Sequence, residues 1–224
     1  HYALRVPALV ASACGEGELP ATSAALPLPS AWAEAAAPLL RGVEGPFVLM
    51  AAGASGGLAK QWEPSHWKAL LKTFAGAGYR VLLVGKEEEA ALGAFLAEGE
   101  GFALNLVGRT DLRQLGGLAA GASLVVANDS GLLHLATALG TPLLGIYGPT
   151  APTTSHPLGE RARVLWNRVE CAPCHRRNCP TDHRCMTWLE AAPVWEVARA
   201  LLEAREPSSP FLVPRPDLPG IAGL

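Results

Sequence analysis

Residues 124–150, LVVANDSGLLHLATALGTPLLGIYGPT, read as a buried strand, a polar turn, a helix, a Gly140-Thr141-Pro142 break and a second strand. The turn gathers Asn128, Asp129, Ser130, Gly131 and His134 where the first strand meets the helix. In open α/β sheets, ligands bind in the crevice at the carboxyl ends of parallel strands, and a helix N-terminus there offers unpaired N–H groups to an anion. Polar groups at this junction therefore face a ligand and not the core.

Outward from this stretch the pattern repeats. Apolar runs at 47–51, 79–84, 103–107, 124–127 and 143–147 alternate with helical stretches. Such alternation predicts an α/β fold, a Rossmann-like parallel sheet with helices on both faces, over residues 46–206. Pro64-Ser65 and Asp111 are helix start signals, and Gly76, Gly78, Gly121 and Gly140 stand where helices should stop. Residues 163–167 add a further strand and 193–206 a closing helix with Pro193 in its first turn. Residues 1–45, rich in Ala and Pro, read as a connector with one short helix near 30–40, and 207–224 as a Pro-rich tail with little reason to fold alone.

Composition narrows the function classes. Half of the 224 residues are apolar, enough for a sizeable core. A net charge of −2 with interspersed signs gives no basic stripe, so nucleic acid is not an expected partner. The longest uncharged segment, 130–159, is cut by Gly140-Thr141-Pro142 and Gly148-Pro149, so it reads as helix plus strand and not as a transmembrane segment. The chain opens on His1 without a basic region and apolar run, which predicts a truncated or cleaved start and not a secretory one.

Each strand runs into a polar or glycine-rich loop. After the first come Gly53, Ser55, Gly56 and Gly57, then Lys60: glycines let the backbone approach a phosphate, Ser55 offers a hydroxyl and Lys60 a positive charge. Neither G-x-x-x-x-G-K-[ST] nor G-x-G-x-x-G is present, so standing alone this is an ordinary loop with a solvated lysine. After the second strand, Glu87, Glu88 and Glu89 offer a carboxylate for ribose hydroxyls, although acids in a first helical turn are common for the macrodipole's sake. Asp129 or Ser130 also suits an N-cap, and a lone His134 in an apolar helix is more often a core residue. The convergence of carboxylate, hydroxyl, glycine and histidine on one helix start tips the balance toward a site.

These motifs resemble glycosyltransferase family 9, the ADP-heptose:lipopolysaccharide heptosyltransferases, in their C-terminal half. The family's D-[ST]-G-x-x-H-L-A matches Asp129-Ser130-Gly131-Leu132-Leu133-His134-Leu135-Ala136, followed by Gly140-Thr141-Pro142 and Tyr147-Gly148-Pro149-Thr150. K-x-W is Lys60-Gln61-Trp62, L-x-G-x-x-x-E runs from Leu83 to Glu89, and Val107 to Leu112 resembles a further stretch, with Asp111 where the family often has Ser or Thr. The resemblance implies the C-terminal domain of a GT-B fold and a transferase moving a sugar, heptose for this family, from an ADP-sugar to a lipopolysaccharide-like glycan or lipid-linked acceptor with inversion. By that analogy Ser55, Lys60, Ser130 and Gly131 hold the pyrophosphate, Glu89 the ribose, Asp129 and His134 the sugar or nearby phosphate, and Leu112 lies near the base. The general base and acceptor site are expected from an N-terminal half without counterpart here, so the catalytic residue is unassigned and residues 1–45 are the interdomain connector. A nucleotide-sugar epimerase of the same architecture and a non-catalytic nucleotide-sugar-binding module are the alternatives. The resemblance further implies no cofactor for catalysis and a cytoplasmic protein, with peripheral contact to the inner face of the membrane open to it.

Cys171, Cys174, Cys179 and Cys185 form C-x2-C-x4-C-x5-C, with His175 and His183 between them. Four thiolates can close a tetrahedral site, so a structural zinc in the loop 171–185 is one expectation, although the second pair is wider than the usual knuckle. Two disulfides, reduced thiols packing a loop and a [4Fe–4S] cluster compete with it. The remaining cysteine, Cys14, reads as a bystander.

Overall fold

The structure is a computed structural model and describes residues 27–54, 56–203 and 211–212. Helix α1 (Ser30–Ala36) continues as a 3₁₀ turn, Ala37–Leu40, and leads into β1 (Phe47–Ala51). There follow α2 (Pro64–Gly76), β2 (Arg80–Leu83), α3 (Ala90–Ala97), β3 (Ala103–Asn105), α4 (Leu112–Gly121), β4 (Leu124–Asn128), α5 (Gly131–Ala138) and β5 (Leu143–Tyr147). The chain then forms α6 (Pro152–Ser155), β6 (Ala162–Trp166), α7 (Arg184–Thr187), α8 (Ala191–Leu202) and β7 (Phe211–Leu212).

The strands form one wholly parallel sheet in the order β3-β2-β1-β4-β5-β6-β7. Val48 and Met50 of β1 join a core with α2 and α8, whereas Phe47 and Leu49 join a second core with α4 and α5 on the opposite face. That division is the period of two expected of a pleated strand covered on both sides. From β1 the chain winds outward through β2 and β3, then returns to place β4 on the other flank of β1. The loops leaving β1 and β4 diverge at this reversal and leave the crevice in which such sheets bind ligands.

The alternation of apolar runs and helices matches the observed elements, with local shifts that have physical causes. The third strand stops at Asn105, short of the expected 107, because the Asn105 side chain turns back to accept the Val107 N–H at 3.1 Å. β4 extends to Asn128, paired in register with Ile146. Asp111 starts α4 as a reciprocal cap: its carboxylate accepts the Gln114 N–H at 2.8 Å and the Gln114 side chain accepts the Asp111 N–H at 3.0 Å. The last helix begins at Ala191, ahead of the expected 193. Phe211–Leu212, in the stretch read as a tail with little reason to fold alone, pair with the edge of β6, whose free ladder groups can order even two residues. Residues 1–26 and most of the tail lie outside the described residues. Among the described residues no helix is long and apolar enough to cross a membrane.

The expected connector helix does more than connect. Trp32 and Ala36 of α1 lie on Gly116 and Gly117 of α4, where a Cβ on Gly116 would meet the Trp32 ring and one on Gly117 the Trp32 carbonyl. Glycine is a poor helix former, so two in succession mark a close helix crossing. Gly117→Ala is therefore expected to lower stability by about 1–3 kcal/mol through overpacking, against the gain helix propensity alone would give. Urea denaturation checks this, and a stabilised variant would contradict the crossing.

Candidate functional site

Asn128 ends β4 with a fully buried carboxamide. Its Nδ2 donates to Ala52 O at 2.8 Å and Gly53 O at 3.0 Å, and its Oδ1 accepts the Trp62 N–H at 3.2 Å. One side chain thus ties the end of β4 to both ends of the loop that leaves β1. Trp62, itself fully buried, anchors the loop's exit by donating Nε1–H to Leu189 O at 2.6 Å. Lys60 sits in the 3₁₀ turn Leu58–Lys60 just before this anchor.

The anchored loop brings Lys60 Nζ to 2.6 Å from Asp129 Oδ2, and Thr150 Oγ1 donates to the same oxygen at 2.9 Å. The side chains are 24% and 11% exposed, so this ion pair is shielded more than an ordinary surface pair. The junctions after β1, β4 and β5 therefore meet at Asp129. Beneath it, burial and then the Asp129 charge raise the Tyr147 hydroxyl well above its ordinary range, so Tyr147 is a neutral donor, to Ser155 O at 3.2 Å.

Beside this pair opens a cavity of about 710 Å³ whose lining includes Ser130, Gly131, Leu112, Thr110 and Glu89. Ser130 is the N-cap of α5, yet its side chain makes no cap bond, and its buried Oγ has no hydrogen-bond partner among the described residues. A buried hydroxyl left unpaired beside free helix N–H groups is poised for an acceptor supplied from outside. Leu112, 64% exposed, forms an apolar wall with Leu115, Leu132 and Leu135, suited to the face of a planar ring. On the opposite side, Glu89 Oε2 accepts the Lys86 N–H at 2.9 Å and its carboxylate lies against Gly53. Only glycine at position 53 leaves room for it.

Of the residues singled out from sequence, Glu89, Leu112, Ser130 and Gly131 line this cavity, and Lys60 and Asp129 form the adjoining pair. His134 is exposed and outside the cavity lining. Ser55 lies outside the described residues. Asn128, expected to face a ligand with the rest of the junction, is instead fully buried and bonded to the β1 loop; sequence reasoning gave no part to Thr150's hydroxyl or to the ring of His183. An uncharged polar residue closing an otherwise apolar strand was the available signal for Asn128.

The cysteine loop packs against the same region. Arg177 O accepts the Ala59 N–H at 2.9 Å, and the His175 N–H reaches Pro149 O at 2.8 Å. All four cysteines are free thiols. Among the described residues no group of three or more His, Cys, Asp or Glu side chains is placed to hold a metal ion, so the expected structural zinc stays without support. Cys171 is exposed, Cys179 shares a hydrogen bond with Thr181 Oγ1 at 3.4 Å, and Cys185 is buried against Gly148. The other three thiols lie near enough to Cys185 for their charge to act on it. Burial first, then the neighbouring thiols, push the Cys185 thiol up to about 12, whereas the Thr181 hydroxyl lowers that of Cys179.

The family described as "Glycosyltransferase family 9 (heptosyltransferase)" matches residues 5–184 of this chain. Lipopolysaccharide heptosyltransferase 2 of Salmonella typhimurium is 40% identical over 127 residues, which are 54% of this chain and 36% of that protein. The structure of E. coli ADP-heptose lps heptosyltransferase II superimposes with a TM-score of 0.70 at 28% identity, over 84% of this chain and 55% of that one. E. coli heptosyltransferase WaaC with ADP gives 0.67 at 26% identity, over 90% and 57%. The chain thus spans between about a third and somewhat over half of the length of the proteins it matches.

Asn128→Asp keeps the shape but turns two N–H donors into acceptors facing carbonyls; it is expected to cost about 2–5 kcal/mol in urea unfolding, whereas an unchanged midpoint would remove Asn128 as the tie. The thiols separate by the same physics. A lowered pKa means more thiolate at a given pH, so iodoacetamide at pH 8 followed by peptide mass spectrometry should modify Cys179 well before Cys185. The reverse order would contradict the burial of Cys185.

Proposed function

The chain belongs to glycosyltransferase family 9, and on that premise we propose that it is the donor-binding part of a heptosyltransferase. It binds an ADP-sugar, with heptose as the sugar, and serves inverting transfer to a lipopolysaccharide-type glycan acceptor in the cytoplasm, at or near the membrane's inner face. The observation that carries this reading is the meeting of the Lys60–Asp129 pair with the unpaired Ser130 hydroxyl at the start of α5, at the edge of a cavity with an apolar wall.

The roles follow from charge and chemistry. The base lies against Leu112 and its apolar neighbours, the ribose hydroxyls donate to Glu89, and the pyrophosphate sits at Ser130, Gly131 and the N–H groups of α5. When the anomeric carbon leaves the donor, negative charge grows on the nucleotide's terminal phosphate. Lys60 and the helix N-terminus stand where that charge develops and stabilise it without reorganisation. Asp129 would repel a phosphate, so it accepts from sugar hydroxyls. Transfer on this scheme needs no cofactor, because side chains and helix N–H groups meet the developing charge. The general base is assigned to the acceptor-binding half of the longer enzymes. His134, exposed on α5, is left as a contact to the sugar or its nearby phosphate. Nothing in the site favours the epimerase reading.

Calorimetric titration tests the scheme. Lys60→Ala should weaken ADP binding about ten- to a hundredfold, the loss of one charge-assisted contact; equal binding by both proteins would sink the phosphate role. Asp129→Asn discriminates further. Without its charge ADP should bind at least as tightly as to the wild type, while the extra affinity conferred by the sugar in ADP-heptose is lost. Weaker ADP binding with the sugar's advantage intact would reverse the roles of Lys60 and Asp129.

A further inference from the structure

Two non-glycine residues of the described chain have positive φ, His175 at 55° and His183 at 58°, and both lie in the cysteine loop. Left-handed backbone strains a side-chain-bearing residue and persists where surrounding contacts over-determine it. Here each of the two makes a bond to a residue next to one of Asp129's partners. The His175 N–H is held by Pro149 O, one residue from Thr150. The His183 ring nitrogen Nε2 lies 2.7 Å from Ala59 O, one residue from Lys60.

A carbonyl oxygen only accepts, so Nε2 carries the hydrogen and donates to Ala59 O. Nδ1 then faces Glu63 Oε1 at 3.9 Å, on the far side of the Lys60–Trp62 segment. The neighbouring Ala59 N–H is taken by Arg177 O at 2.9 Å, so both polar backbone groups of Ala59 are held by the cysteine loop. Gly57, with φ of 121°, packs on the Arg177 backbone so closely that any Cβ there would clash. Apart from bonds within the turn, such as Lys60 N–H to Gly57 O at 3.1 Å, the backbone of the 3₁₀ turn that presents Lys60 is bonded to a segment more than a hundred residues away in sequence.

We infer that the cysteine-rich loop is a clamp that sets the register of Lys60, and that His183 is its positioning residue. The ring fixes the carbonyl of Ala59, which fixes the peptide plane preceding Lys60 and so the direction in which the ammonium leaves the backbone. The left-handed turn at His183 aims the ring back across the loop while its own carbonyl accepts the N–H groups of Met186 at 2.9 Å and Thr187 at 3.0 Å, starting α7. Sequence, strain and contact thus coincide on one residue outside the donor cavity. The inference rests on the donor reading only for its consequence in binding, not for the clamp itself.

The test uses two variants and two measurements. His183→Gly accepts φ of 58° without strain and removes only the ring; His183→Gln restores an N–H donor at similar reach. Amide hydrogen exchange without ligand should rise about fivefold or more in residues 57–62 of His183→Gly and return toward wild type in His183→Gln, with the central strands unchanged. ADP affinity should fall about five- to tenfold in His183→Gly and recover in His183→Gln, the loss expected for one neutral hydrogen bond. Unchanged exchange in 57–62 of His183→Gly would overturn the clamp. So would a rise spread over the whole sheet in both variants, which marks a general fold residue. If the wild type fails to bind ADP, the donor reading fails, and the exchange experiment still decides the clamp.

Discussion

A buried carboxamide at the end of a parallel strand must find partners for two N–H bonds and a carbonyl or pay for their desolvation. Asn128 finds all of them in the loop leaving the neighbouring strand, at Ala52, Gly53 and Trp62. The requirement runs both ways, because the groups it serves belong to a loop that follows no ladder. Removing the carboxamide would strand polar groups on both sides. These bonds bring the β1 loop across to β4, where Lys60 faces Asp129, and the rest of the site is built around that meeting.

Within this frame, Lys86, Glu87, Glu88, Glu89 and Asp111 line the cavity together with Ser130 and Gly131 at the start of α5, and the Lys60–Asp129 pair adjoins them. Lys60 places its charge on Asp129. That pairing keeps a shielded cation from standing alone.

The alternation of apolar runs with helices made the sheet and the helices on both faces readable before any coordinates. The Asp111 cap and the strands at 47–51 and 143–147 were legible because each depends on residues adjacent in sequence. Asn105 was not read as a strand terminator, since its effect comes from a side chain competing with the ladder. The helix near 30–40 was read as a connector because its Gly116-Gly117 seat lies far along the chain. C-x2-C-x4-C-x5-C left zinc, disulfides and free thiols open, and only the fold shows that Cys185 is buried while Cys171 is exposed. Spacing alone does not state which way a side chain points.

The sequence by itself determined the α/β class, the approximate strand positions and the junction at residues 128–131 as a polar site. These follow from periodicity and from turn and cap chemistry, which act over a few residues. Only the tertiary structure decided that Lys60, Asp129 and Thr150 converge, that Ser130's hydroxyl is left unpaired, and that a loop near the C-terminal helix holds the turn carrying Lys60. These contacts join segments tens to more than a hundred residues apart. Their formation depends on which strands lie side by side, and no local pattern encodes that order.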